Sequence, residues 1–421
     1  MTRLFVAGKR NSQTDHLCSE EKTRMKCILH IGTEKTGTTL IQNWLYENEQ
    51  ALSLQGVGLS KVASFPNNRK LVAYFQNDFD DYMHENMVFN SQQREAFFEG
   101  FEVALLSEIL ELSYDHHTVL FSSEHFHSRL QTVEQIERVK EVLDRAFSDV
   151  KVMCYFREQS KVRTSLYSTG IKLHSPERID VFQKDAGPGH HYYDYMEFFS
   201  KWAEVFGKEN LVPKVYDRET MAQGDIRYDF LATMLPGIDP TRLSFDSVPA
   251  NESLTAKQAA CFRVINAKCP PRFSIYQNPL NARLKARVMT TAPLNSGGGV
   301  KDPRQPEMYQ AFDERNRAFF KEFFGTEDNL FSEPKAGAEE IEQDPEAGAC
   351  TELLDQILSI KGLVFMAPEE VDAIRDLAMK LYEEKTLDAP SALLLLKVLQ
   401  RARPYGPVIG DAITKIYNES R

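Results

Sequence analysis

Two glycines, Gly32 and Gly37, stand five residues apart, with Lys35 between them and the hydroxyls of Thr38 and Thr39 directly after. They belong to the stretch HIGTEKTGTTLIQNWL, His30 to Leu45. The glycine spacing is that of the triphosphate-binding loop G-x-x-x-x-G-K-[ST], but Thr38 takes the place of its lysine. Backbone N–H groups and the positive end of the following helix do most of the holding in such loops, so a loop lacking that lysine still suits a phosphate. In triphosphate enzymes the residue after the lysine also holds magnesium, helped by an acidic residue at a strand end. No hydrophobic strand of this sequence ends in Asp. The pattern therefore predicts an anion held without a metal, with Lys35 reaching a group beyond the bound phosphate.

A second concentration of charge lies in YFREQSKVRTSLYS, residues 155–168. Arg157 closes an apolar run, Ser165 follows eight residues later, and Lys161 and Arg163 add positive charge. An arginine fork with a hydroxyl donor suits a phosphate monoester, which carries nearly two charges. Between the two segments, FSSEHFHSRL (121–130) offers Glu124, His125 and His127 as proton acceptors.

In this order, about 120 residues apart, the two segments resemble those of sulfotransferases that use 3′-phosphoadenosine 5′-phosphosulfate (PAPS). The loop is most similar to those of heparan-sulfate and bacterial carbohydrate sulfotransferases. The resemblance implies that Thr33, Glu34, Lys35, Thr36, Gly37, Thr38 and Thr39 hold the 5′-phosphosulfate. It implies that Arg157 and Ser165 hold the 3′-phosphate, and that Lys35 and Glu124 are catalytic, with no metal. Glu124 followed by Phe126 matches the base of the heparan-type enzymes. His125 departs from that pattern by replacing a basic residue, and no proline or second aromatic follows. Cytosolic members use a histidine base, which keeps His125 and His127 as alternatives, although solvated loop positions are the plainer expectation for both. Leu40 stands where cytosolic members often carry an aromatic, so adenine stacking must come from elsewhere. The implied reaction is sulfuryl transfer from PAPS to a hydroxyl of a carbohydrate or glycolipid, releasing 3′,5′-adenosine bisphosphate (PAP). The rivals are a P-loop kinase or NTPase, against which the displaced lysine counts, and a non-catalytic nucleotide-binding scaffold with a partner-binding helical module.

Other polar residues have structural readings. His30, at a strand end, is expected as a hydrogen-bonded core residue. Asn251 and Ser253 resemble a short family segment, but a turn or helix cap explains them equally well. HHYYDY (190–195) suits either a sugar-stacking wall or a packed cluster.

The elements that must position these groups are legible in the hydrophobic pattern. CILHI (27–31), TVLFS (118–122) and KVMCYF (151–156) read as strands. LVPKVY (211–216) reads as a fourth, weakened or placed at an edge by Pro213. Leu40, Ile41, Trp44 and Leu45 recur at helical spacing after the loop, and helical sequence covers 91–112 and 131–147. Strands alternating with helices predict an α/β, P-loop-like three-layer fold with a central parallel sheet. Residues 1–24 read as a leader, 25–333 as the sulfotransferase-like α/β domain, 334–350 as an acidic linker and 351–421 as a small all-α module. In that module Val371, Ile374, Leu377, Ala378 and Leu381 form an apolar stripe, and oligomer or partner contact is its expected role.

The chain has 421 residues and a formal net charge of −11, which argues against general nucleic-acid binding. No run approaches the roughly 18 apolar residues of a membrane helix, and the N-terminus lacks a hydrophobic signal core. The six cysteines contain no C-x-x-C pair. A reduced, cytoplasmic protein without a zinc site is the expectation.

Overall fold

In the computed structural model, residues 25–246, 254–269, 271–273, 276–291, 294–334, 368–402 and 407–419 are described. The leader, Asn251 and Ser253, nearly all of the acidic linker and residues 351–367 lie outside them. The chain divides into two compact units. One takes in Met1–Val162, Asp185–Ala250 and Glu307–Pro334; the other takes in Arg163–Lys184, Asn251–Pro306 and Lys335–Arg421.

The first unit is built on a five-stranded sheet of β1 (Lys26–His30), β2 (Val57–Leu59), β3 (Thr118–Ser122), β4 (Asp149–Phe156) and β5 (Leu211–Val215). All neighbours are parallel and the order is β2-β3-β1-β4-β5. Both faces are buried, as a parallel sheet requires. Cys27, Leu29, Val119, Phe121, Val152, Cys154 and Phe156 face one apolar layer, while Ile28, Leu120, Met153 and Tyr155 face the other. That alternation is the two-residue period of a strand read on both sides. The expected three-layer α/β architecture is thus present.

Four details differ from or sharpen the sequence reading. β2 was not expected, because three edge residues are too short to give a periodic signal. Pro213 sits opposite Cys154 on the edge strand β5, where a missing ladder N–H is tolerated. The helical stretch at 91–112 is two helices, Ser91–Phe97 and Phe101–Leu112, separated at Gly100, whose φ is 70°. Cys27, Cys154 and Cys269 are buried free thiols, but Cys261 is disulfide-bonded. No spacing motif marks that bond, because cysteine pairing depends on tertiary proximity.

The second unit is largely helical, with Ala256–Lys268, Pro279–Met289, Pro368–Glu383, Ala389–Ala402 and Pro407–Glu419. The last three share a core of Val371, Ala378, Ala392, Leu396, Leu399, Ile409, Ile413 and Ile416. Leu377 lies off the buried stripe and is 54% exposed, since its neighbour Ala378 takes the inward position. The Arg163 guanidinium, fully buried, pairs with Asp302 and donates to the carbonyl of Ile179 at 2.7 Å. The Gly297–Gly299 stretch is anchored by Ala256 N donating to Gly298 O at 3.0 Å.

Candidate functional site

β1 delivers the glycine loop and β4 holds it. Past His30 the chain stays against β4: Ile31 N donates to Met153 O at 2.9 Å, and Thr33 N to Tyr155 O at 3.4 Å. Thr33 Oγ1 reinforces the second step at 2.9 Å. At the third step a side chain takes over, with Arg157 Nη1 donating to Lys35 O at 2.9 Å. Thr36 Oγ1 closes the turn on Thr33 O at 2.5 Å. Lys35 and Gly37 both take left-handed backbone, with φ of 68° and 76°.

Each glycine has its own reason. A Cβ on Gly32 would come within 2.8 Å of Thr38 Cγ2, so position 32 is limited by packing. Position 37 is limited by its positive φ. From Gly37 springs the ten-residue helix Thr38–Glu47, which has no side-chain cap and no acid in its first turn. Its leading N–H groups and dipole therefore present positive charge, the electrostatics of an anion site. Thr33, Thr36 and Thr38 are buried, Thr39 is exposed, and Glu34 and Lys35 are half-buried.

β3 brings in the carboxylate. It lies beside β1 with Ser122 opposite His30, so the chain leaving β3 emerges next to the loop. Ser123 N donates to His30 O at 2.9 Å, and Glu124 follows. Its carboxylate does not cap helix His125–Arg129. Glu124 Oε2 instead accepts from Gln42 Nε2 at 2.7 Å. Burial raises the Glu124 pKa above the ordinary carboxylate range. The Gln42 hydrogen bond and the charge of Lys35 oppose the shift, while the charge of Glu34 adds to it.

The histidines beside Glu124 are not solvated loop residues; this expectation is corrected. His127 is fully buried, with ring centroids 4.8 Å from Tyr192, 4.6 Å from Phe198 and 5.9 Å from His191. Burial, then the neighbouring His191, holds its pKa well below the usual value. Burial lowers His125 to about 3, with Arg69 and Arg129 contributing. The aromatic residues of Tyr195–Phe206 and the segment before it need partners for their inner faces, and His127 supplies one.

His30 is the expected core histidine: its Nδ1 lies 2.8 Å from Ser122 Oγ, and burial lowers its pKa to about 3. HHYYDY is mainly packed support. Asp194 caps helix Tyr195–Phe206 and receives Arg315 Nη2 at 2.7 Å, and Tyr195 Oη donates to Arg157 O at 2.5 Å. Tyr192 is in the field of Glu34, which after burial raises its hydroxyl pKa.

Arg157 stands directly after β4, half-buried, with its guanidinium 5.5 Å from the centre of the Tyr216 ring. Ser165 lies on helix Gln159–Leu173, half-buried, in the part of that helix assigned to the second unit. The site thus gathers Lys35, Glu124 and the Arg157 side chain around one loop of the first unit. Gln42 and Tyr216 were missed by the sequence reading. For Gln42 a signal existed: it shares the inward stripe of its helix with Thr38, Ile41 and Leu45, a position where an amide requires a partner.

Among the described residues no group of three or more His, Cys, Asp or Glu side chains is arranged to hold a metal. Nor is any described helix long and apolar enough to cross a membrane. No protein-family model matches the chain. It is similar to an uncharacterized protein of Archaeoglobus fulgidus, 26% identical over 184 residues, which are 43% of this chain and 47% of that protein. The chain therefore spans about half the length of the curated relative it matches. Among solved structures, a sulfotransferase from Alicyclobacillus acidocaldarius aligns with 61% of this chain and 98% of its own, at 12% identity and a TM-score of 0.28.

Proposed function

We propose that the chain is a sulfotransferase that moves the sulfuryl group of PAPS to a hydroxyl of a carbohydrate or glycolipid acceptor. One observation carries this reading. Lys35 lies inside the glycine loop rather than after its second glycine, within the electrostatic reach of Glu124 from the next strand, and its own carbonyl is held by Arg157. A lysine in that position serves a leaving oxygen rather than a triphosphate tail.

In this mechanism the backbone of Thr33–Thr39 and the helix end hold the 5′-phosphate. The acceptor oxygen forms a bond to sulfur while the bond from sulfur to the bridging oxygen breaks. Lys35 neutralises the charge that grows on that bridging oxygen. The acceptor proton passes to Glu124, whose burial increases its affinity for a proton. PAP and the sulfated acceptor leave. Arg157, with guanidinium nitrogens beyond the one given to the loop, supplies charge for the 3′-phosphate. The motif spacing assigns Ser165 the companion hydroxyl. The acidic net charge and the heparan-like loop favour a glycan acceptor.

Calorimetry provides the test. PAP binds in the presence of a chelator, and ATP with magnesium binds far more weakly. Tight ATP–magnesium binding without a response to PAP would overturn the reading.

A further inference from the structure

Gln42 is 3% exposed, and its amide nitrogen is 2.7 Å from Glu124 Oε2. It lies one helical turn beyond Thr38, on the helix whose first turn closes the anion loop. Glu124 follows a different strand, starts a helix of only five residues, and has no capping bond to fix its carboxylate. The Gln42 contact therefore links the carboxylate to the helix on which the anion loop ends.

We propose that Gln42 is a positioning residue, which fixes the Glu124 carboxylate to the anion-binding helix so that base and donor share one rigid frame. The inference rests on the sulfuryl-transfer reading for the role of Glu124, but the link itself is present without any ligand. A glutamine suits the task. Its N–H₂ donates to the ionised carboxylate and carries no charge that would compete with Lys35 for the anion. A helix position also holds a side chain more accurately than a loop does. The groups facing the Glu124 carboxylate are Gln42 from the helix, Glu34 and Lys35 from the loop, and the backbone N–H of Glu124 itself. Removing Gln42 takes away one of the bonds that favour the ionised form and leaves burial and Glu34 opposed only by the backbone N–H and Lys35, so the carboxyl must hold its proton to higher pH.

The experiment uses the full chain and two variants, Gln42→Leu and the more flexible Gln42→Met, each checked for folding by circular dichroism. First, the Glu124 side-chain carbon is titrated by NMR in ligand-free protein, with Glu124→Gln for assignment. Both variants shift its midpoint upward. An unchanged midpoint overturns the proposal whether or not the protein transfers sulfuryl groups. Second, PAPS turnover is followed against pH. The variants lose roughly tenfold or more in kcat near neutral pH, keep PAP affinity within about twofold, and recover part of the loss as pH rises. Lost PAP affinity with intact kcat also overturns it. A wild-type chain that titrates as expected but shows no PAPS turnover sinks the sulfotransferase reading and leaves the link between Gln42 and Glu124 standing.

Discussion

At the scale of single residues the site turns on two charges, one positive and one negative. In the proposed mechanism Lys35 meets a charge that exists only in the transition state, so Lys35→Ala is expected to lower kcat by about 10²–10³ while changing PAP affinity little. Single-turnover kinetics beside PAP titration separates the two effects, and a raised donor KM with unchanged kcat contradicts the role. Glu124→Gln keeps the shape and the Gln42 contact distance but removes basicity, so turnover falls roughly a hundredfold or more. His127 packs between aromatic rings and has its basicity suppressed by burial. His127→Phe should therefore retain most turnover, and a dead His127→Phe beside a working Glu124→Gln would reverse the assignment. The pH profile follows from the same environment. As the proposed base, Glu124 would act only when ionised, and burial raises its pKa. Activity should thus disappear on acidification at a pH above that of an ordinary carboxylate.

At the scale of elements, the loop is a continuation of the sheet. The steps Ile31–Met153 and Thr33–Tyr155 extend the β1–β4 ladder, and the Arg157 side chain supplies the next contact at Lys35. Arg157 thus supports the loop and, in the proposed function, also binds the 3′-phosphate; its removal should show both. Arg157→Ala should weaken PAP by about 1.5–3 kcal/mol, the usual size of a lost charge-assisted bond. It should also speed amide exchange at residues 33–38 in the ligand-free protein, which a purely ligand-binding arginine would leave unchanged. Gly37→Ala tests the turn itself. A left-handed φ of 76° costs an L-residue about 1–2 kcal/mol, and the new Cβ would stand 3.2 Å from Ile226 Cδ1. Its melting temperature should fall, with a larger loss of PAP binding because the loop must distort.

At the scale of the whole molecule, acid sensitivity follows from the buried imidazoles. His30 and His125 are lowered to about 3, and His127 is also well below normal, in each case chiefly by burial. Unfolded histidines take up protons below pH about 6.5, whereas these folded ones resist until far lower. The unfolded state then binds more protons, and stability falls as pH drops from about 6.5 toward 3. Thermal melts across that window should show the decline, and His127→Phe should flatten it; parallel curves for the two proteins would contradict this. The C-terminal helices Pro368–Glu383, Ala389–Ala402 and Pro407–Glu419 have an apolar core of their own and carry no residue of the site. A chain ending at Pro334 is expected to keep PAP binding, and loss of binding on truncation would make those helices part of the support for the site.

The amino-acid order alone carries local information: β1, β3, β4 and β5, the loop glycines and the helix behind them all follow from periodicity and turn chemistry within a few residues. It also carries the residue types of the loop and of the Arg157 segment, whose chemistry is readable without a fold. What lies across the sheet is different. That Glu124 bonds to Gln42, that Arg157 grips the loop carbonyl, that His127 is enclosed by Tyr192 and Phe198, and that residues 163–184 group with 251–306 are not encoded in any spacing. The first two arise when β3 and β4 align on either side of β1, which brings Gln42 to Glu124 across 82 positions of chain and the Arg157 side chain to the Lys35 carbonyl across 122. Strand register and burial then decide which polar groups meet, because an inward amide or carboxylate must find a partner among whatever the neighbouring strand presents.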